Sequence, residues 1–442
     1  MSDALIFCLI YLGALIVFGA TGFHVAVVIF VVTLTSVLAF FGPAMISPLA
    51  DLSWTVMNNY VLVSIPLFVL MGDILLRSGV SDRLYQALAM WVVRLPGRLL
   101  HSNIAACALF AASTGSTVAT AATIGTVALP ALKSRGYNAQ LSCGSLAAGG
   151  TLGILIPPSI NMIIYGVMTD TSIGRLFVAG VVPGLLLAAT FSFVIGTIAM
   201  LKPEVAPLRA VDVKPLRQRV AVLPSILPSL LVVLGVIGSI YAGLATPTEA
   251  AAVGVLLALA IGSFYRNAEG RRNLSAAALR QAARTTVRVT GMIMLIIVAA
   301  FQMSFVIGLL GIPQTISAWV SSLGLTATQV LWLLLLIYLI LGCFLEGLSM
   351  MITTIPIVAP LVVGLGVDPV WFGVFIVLVT ELALITPPVG INLYVIQGLR
   401  ADGTIADVII GAIPFAAAIF VFTGAMIHLP QIALWLPGQM SP

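Results

Sequence analysis

Thr151-Leu-Gly-Ile-Leu-Ile-Pro-Pro-Ser-Ile-Asn-Met-Ile-Ile-Tyr165 and its echo, Glu381-Leu-Ala-Leu-Ile-Thr-Pro-Pro-Val-Gly-Ile-Asn-Leu-Tyr394, decide how the chain is read. Both are apolar enough to lie in a bilayer, and both carry a double proline at mid-span. The second proline has no N–H to donate, and its ring disfavours helix in the residue before it, so a helix must unwind there. Unwinding frees backbone groups that hydrocarbon cannot satisfy. Such backbone is tolerated at membrane depth only against protein or a water-filled cavity. Two breaks of this kind point to a binding site near the bilayer midplane, the plan on which secondary transporters are built.

Composition agrees. Of 442 residues, 61% are hydrophobic and only 7% charged, against roughly 25% charged in soluble domains. An all-α polytopic membrane protein is therefore expected, with no stretch polar enough to form a soluble domain. The net charge of +5 does not signal nucleic-acid binding, because the basic residues sit in short loops between apolar runs, where they set topology. Cys8, Cys107, Cys143 and Cys343 lie inside apolar segments without paired spacing and read as packing residues rather than disulfides or metal ligands. The N-terminus lacks the basic n-region of a signal peptide and carries Asp3, so residues 4–20 read as a membrane span.

Hydropathy places spans near 4–20, 24–41, 60–77, 140–166 and 177–200, and again near 221–243, 248–265, 281–308, 370–398 and 406–430. Each is about the ~20 residues needed to cross the hydrocarbon, or slightly longer. The stretches 101–130 and 331–360, rich in small and polar residues and ending at Pro130 and Pro360, read as re-entrant hairpins. Pro130, Gly136 and Pro157-Pro158 recur 230 residues later as Pro360, Gly366 and Pro387-Pro388. Asn161, Gly180 and Pro183 recur 231 later as Asn392, Gly411 and Pro414. A near-constant offset over some fifty residues marks two structural repeats: 1–200 and 220–442, joined by a linker over 201–219.

Charge placement sets their relation. With the N-terminus outside and each hairpin returning to its own side, every Lys and Arg except Arg175 falls inside, as the positive-inside rule demands. Five spans then separate equivalent points, so the repeats are inverted. Residues 82–97 read as an amphipathic helix along the membrane surface, with 313–328 as its uncharged counterpart.

Hydroxyls and glycines crowd the first hairpin at Ala112-Ser-Thr-Gly-Ser-Thr-Val-Ala-Thr-Ala-Ala-Thr123. Helix packing alone explains such residues. Beside a broken helix, however, a hairpin tip can cage a small hard cation through oxygen ligands. Carbonyls near Gly153 and Ile156 and the hydroxyls of Ser116 and Ser159 are the candidate sodium ligands of the first repeat. Ala383, Thr386 and Val389, with Gly347, are those of the second. Helix N-termini freed by the breaks suit an anion. No arginine lies mid-span to clamp a carboxylate, so Ser113, Thr117, Asn161, Ser349 and Asn392 are the candidate substrate contacts. Glu346 and Glu381 are the carboxylates expected at membrane depth, to bind a cation, to carry a proton, or to cap free backbone N–H groups. Asp73 reads as interfacial, the three histidines as isolated, and Thr246-Pro-Thr-Glu-Ala250 as a helix cap. No catalytic or transition-metal set is expected.

Further motifs carry a resemblance: Gly243-Leu-Ala-Thr-Pro-Thr-Glu-Ala-Ala-Ala-Val-Gly254, Gly115-Ser-Thr-Val-Ala119 and Gly366-Val-Asp-Pro-Val-Trp-Phe-Gly373, together with the two double-proline stretches. The chain resembles the large membrane (M-type) subunit of the tripartite ATP-independent periplasmic (TRAP) transporters. The resemblance implies sodium-driven inward movement of a small organic acid, typically a C4-dicarboxylate, sialic acid or a sugar acid. It implies a periplasmic binding protein (P-type) that delivers the substrate and a small four-helix membrane subunit (Q-type). That subunit is expected as a separate chain, because no four-helix unit precedes Met1. It also implies an elevator motion of hairpins and broken helices against a scaffold in the bacterial inner membrane, with both termini periplasmic. The family's sodium ligands around Thr-Pro-Pro map onto Ala383, Thr386 and Val389, with Ala383 standing where many relatives have glycine. Sodium is the coupling ion and no cofactor is implied. A stand-alone sodium- or proton-coupled dicarboxylate or citrate carrier is the alternative. A channel or a membrane-embedded enzyme is more remote.

Overall fold

The computed structural model describes residues 11, 13–14, 24–92, 94–207, 215–265 and 273–440. The expected span at 4–20 lies largely outside the described residues. Where the sequence predicts helices the structure has them: α1 Val25–Phe40, α2 Ile46–Met57, α3 Ser64–Ser78, α4 Val80–Val92, α5 Leu99–Thr114, α6 Thr117–Lys133, α7 Ala139–Leu155, α8 Ile160–Thr169 and α9 Ile173–Leu201. After a short α10, Leu216–Ala221, come α11 Leu227–Tyr241, α12 Pro247–Phe264, α13 Ala276–Leu309, α14 Ile312–Ser322 and α15 Ala327–Gly342. The chain ends with α16 Gly347–Gly364, α17 Pro369–Leu384, α18 Ile391–Gly398, α19 Ile405–His428 and α20 Gln431–Leu434. No strand occurs among the described residues. Seven helices there are long and apolar enough to cross a membrane, or nine if each bent pair counts as one. The sequence reading missed α2, a half-exposed helix that follows Pro43.

The broken spans are real. α7 and α8 are separated at Ile156–Ser159, and α17 and α18 at Ile385–Gly390, with each double proline in the gap. α7 and α17 are buried along nearly their whole length, which explains why their apolar residues show no preferred face: they touch protein on every side. α19 crosses α7 backbone to backbone. A Cβ on Gly411 would run into the Gln140 carbonyl, and one on Gly144 into the Gly411 carbonyl. Gly180 on α9 does the same work against the Leu155 carbonyl, at 2.6 Å from an added Cβ.

α5 and α6 pack on each other across the two-residue turn Gly115–Ser116, and α15 packs on α16 across 343–346. These helical hairpins, the broken spans, α9 and α19 form one group of packed helices. α1, α2 and α3 pack on α13, and α11 and α3 pack on α12, to form a second group. The groups meet along α3 with α5 and α13 with α16.

Two short helices lead from the second group into the hairpins. Each is bracketed by left-handed residues: Gly79 (φ +76°) and Gly97 (φ +94°) around α4, Gly311 and Gly324 (both φ +63°) around α14. Glycine reaches that region without a Cβ penalty. α4 differs from the surface helix expected at 82–97. Its Leu84 and Tyr85 are buried against protein, and the Tyr85 hydroxyl donates to Asn103 of α5 at 3.1 Å. Its end is fixed to the linker by Trp91, whose Nε1 donates to the Arg219 carbonyl at 3.1 Å while the Arg219 guanidinium lies 4.7 Å over the indole. Cys107, Cys143 and Cys343 are free thiols. Thr246 and Glu249 form a capping box with Pro247 in the first turn of α12.

Candidate functional site

A cavity of about 520 Å³ lies between the two helix groups. The first hairpin contributes Thr114 to Ala119, the start of α8 contributes Ile160 and Asn161, and the second hairpin contributes Glu346, Gly347 and Leu348. Thr380 and Leu384 of α17 complete that side. The facing wall is Gly72, Asp73 and Leu76 of α3 with Thr285, Val289, Met292 and Ile293 of α13.

The first hairpin sits directly on the first break. Ser116 caps α6 by accepting from Ala119 N–H, and Ser159 caps α8 by accepting from Met162 N–H. A Cβ on Gly115 would lie 2.7 Å from the Pro158 carbonyl, and one on Gly153 2.6 Å from the Ser116 carbonyl, so only glycine permits this approach. Pro157 and Pro158 have no N–H to return to the carbonyls of Gly153 and Ile154, four residues back. Ile154 is satisfied instead by the Ser159 hydroxyl, which donates at 2.5 Å. The Ser116 carbonyl accepts from both Thr120 N–H (3.1 Å) and the Thr120 hydroxyl (2.8 Å). Gly153, Ile156, Ser116 and Ser159 are thus brought together, with the Gly153 carbonyl lacking its helical donor.

The second repeat is built differently. Its hairpin meets α17 before the break: an added Cβ on Gly347 would touch Thr380 Cγ2 at 2.5 Å. Pro387 and Pro388 are exposed, whereas Pro157 and Pro158 are buried. The Thr386 hydroxyl donates to the Leu382 carbonyl at 2.6 Å, and Val389 lines a separate apolar surface hollow with Pro388 and Tyr394. Ala383 is buried, and its methyl fills the place where Gly342 has no Cβ.

Of the candidate substrate contacts, Thr117 and Asn161 line the cavity. Ser113 is buried and bonded to the Leu109 carbonyl at 3.4 Å. Ser349 donates to Glu346 at 2.9 Å. Asn392 lies in the core, its amide donating to the Ala147 carbonyl at 3.1 Å. Glu346 is on the cavity wall as the N-cap of α16, accepting from Leu348 N–H, Ser349 N–H and the Ser349 hydroxyl. Glu381 is fully buried off the cavity, and neither carboxyl oxygen has a hydrogen-bond partner among the described residues. Thr151, its counterpart 230 residues earlier, faces it but gives its own proton to the Ala148 carbonyl at 2.8 Å.

Sequence reasoning missed Asp73, Thr285 and Thr380. Asp73 was read as interfacial. It faces the cavity, held by Arg77 Nε at 2.6 Å, while Arg77 Nη2 also reaches Thr285 at 3.5 Å. The i,i+4 spacing of Asp73 and Arg77 was the available signal.

Comparison with known proteins follows the same lines. Residues 12–432 match the family model described as "Tripartite ATP-independent periplasmic transporter, DctM component". The C4-dicarboxylate TRAP transporter large permease protein DctM of Pseudomonas aeruginosa is 35% identical, with 91% of this chain and 92% of that protein covered. The isethionate TRAP transporter permease protein DctMQ of Oleidesulfovibrio alaskensis is 30% identical over 96% of this chain but 66% of its own length. In fold, the chain is similar to the crystal structure of the YdaH transporter of Alcanivorax borkumensis, with a TM-score of 0.65 at 14% identity and 99% of both chains covered. This chain is a multi-pass membrane protein and belongs to the DctM component family of the tripartite ATP-independent periplasmic transporters.

Proposed function

We propose that the chain carries a small organic acid, of the C4-dicarboxylate, sialic acid or sugar-acid class, inward across the bacterial inner membrane with sodium. A periplasmic binding protein delivers the acid, and a small four-helix subunit, here a separate chain, braces the large one. In the DctMQ-named relative, about a third of the length lies outside the match. The observation that carries the reading is the cavity of about 520 Å³ formed where the first hairpin tip, the start of α8 and the second hairpin converge between two helix groups.

The hairpins and broken spans form the moving group, and α1–α3 with α11–α13 the scaffold, in two inverted repeats over 1–200 and 220–442 with a cytoplasmic linker at 201–219. The left-handed glycines around α4 and α14 support hinged arms between the groups. Sodium is held in the first repeat at Ser116, Gly153, Ile156 and Ser159, where an oxygen-only set suits a hard cation. The second site, at Gly347, Ala383, Thr386 and Val389, assembles when the second hairpin reaches its break. Both termini are periplasmic.

Labelled organic-acid uptake into proteoliposomes holding this chain and its small partner tests the reading. Purified binding protein is added outside, with and without an inward sodium gradient. Uptake that needs both is the expected result. Uptake without binding protein converts the reading to a stand-alone carrier, and uptake driven by a pH gradient alone removes sodium as the coupling ion.

A further inference from the structure

The two halves of the cavity are electrically unequal. Helices α6 and α8 both begin at its wall, and their N-caps, Ser116 and Ser159, are neutral. The first-turn N–H groups and the positive end of each helix dipole therefore face the space without a compensating charge. Asn161, the second residue of α8, is more than nine-tenths buried, lies on the same wall, and its amide makes no hydrogen bond among the described residues. A buried amide without a partner costs stability unless something supplies the bond.

At the opposite hairpin the equivalent place is filled from within. The Glu346 carboxylate takes the N–H groups of Leu348 (3.1 Å) and Ser349 (3.0 Å) at the start of α16. Asn392, the counterpart of Asn161, is turned into the core against Ala147. On the facing wall Asp73 holds Arg77, and no Lys or Arg side chain lines the cavity.

We propose that the anionic head of the transported acid, a carboxylate or a sulfonate, docks at the first-repeat end alone. It sits between the N-termini of α6 and α8 and is hydrogen-bonded by Asn161. Glu346 is a built-in carboxylate that occupies the other end and orients the substrate by repulsion. This rests on the transport reading above and adds to it which of two related asparagines binds the head group and which way the substrate points.

The test uses the full assembly in proteoliposomes with three probes, succinate, N-acetylneuraminate and isethionate, and takes the one that the wild type accumulates. Asn161→Asp keeps the size of the side chain and, in the first turn of a helix, favours the helix, but it sets a negative charge where the head group docks. Its KM is expected to rise at least about a hundredfold with the unfolding temperature unchanged or raised, whereas Asn161→Ala raises KM about tenfold. Glu346→Gln, which keeps an acceptor for the cap, should leave KM within about threefold and relax discrimination among the three probes. Wild-type protein that moves none of the probes overturns the transport reading and this proposal with it. Uptake by wild type with an unchanged KM in Asn161→Asp overturns the proposal alone.

Discussion

Ala383 and Gly342 form a complementary pair. The family resemblance places glycine at the first position in many relatives, and here a methyl is accommodated because Gly342 faces it without a Cβ. A Cβ added to Gly342 would lie 2.5 Å from that of Ala383 and 2.9 Å from its Cα, closer than packed carbons approach. Overpacking of this kind costs typically about 1–3 kcal/mol. Gly342→Ala is therefore expected to lower the unfolding temperature in detergent, and Ala383→Gly in the same chain to restore most of the loss. Additive effects in that double-mutant cycle would show that the two residues do not compete for one space. Residue chemistry was only partly legible from sequence. The double prolines announced the breaks because proline's missing N–H acts wherever the chain runs. Whether an asparagine or serine faces the cavity depends on rotation about a helix that is apolar on every side. The pattern around Asn161 and Asn392 is nearly the same, yet one lines the cavity and the other bonds to Ala147.

At the scale of elements, the sequence located the hairpins, the broken spans and the long helices, because each is long, apolar and punctuated by Gly or Pro. It left out α2, too short and too half-exposed for hydropathy to detect. It also set α4 on the membrane surface, because an amphipathic pattern does not say whether lipid or protein covers the apolar face. The glycines that marked the repeat have a mechanical meaning in the structure. Gly411 lets α19 lie directly on α7, so Gly411→Ala forces the two backbones apart. The expected cost is about 3 kcal/mol or more, at the upper end for overpacking. Gly291, in the middle of α13, has open space where a Cβ would point, and Gly291→Ala should gain about 1 kcal/mol of helix propensity. Thermal unfolding of the two variants in the same detergent reads the contrast. Equal effects of the two substitutions would mean that the α7–α19 crossing yields without strain.

For the whole molecule, the sequence predicts orientation from charge alone, and the fold makes that prediction easy to probe. Residues far apart in sequence gather at each end. Asn59, Tyr60, Asp170, Ser172 and Thr246 surround one surface pocket, while Lys133 bridges to Asp402 at 3.0 Å. Arg175, the lone basic residue that charge counting puts outside, borders a second pocket with Asp170 and Ser172. If the positive-inside rule sets the topology, the Asp170–Thr246 end faces the periplasm and the Lys133–Asp402 end the cytoplasm. Single cysteines at Ser172 and at the exposed Ser134 separate these ends, since native Cys107 and Cys143 are buried. In intact right-side-out vesicles a membrane-impermeant maleimide should label Ser172→Cys at once and Ser134→Cys only after permeabilisation. The reverse pattern would invert the whole arrangement and place the binding protein's docking face at the Lys133 end. Labelling of both before permeabilisation would mean that the two loops share one side, which the span count behind the inverted repeats does not allow.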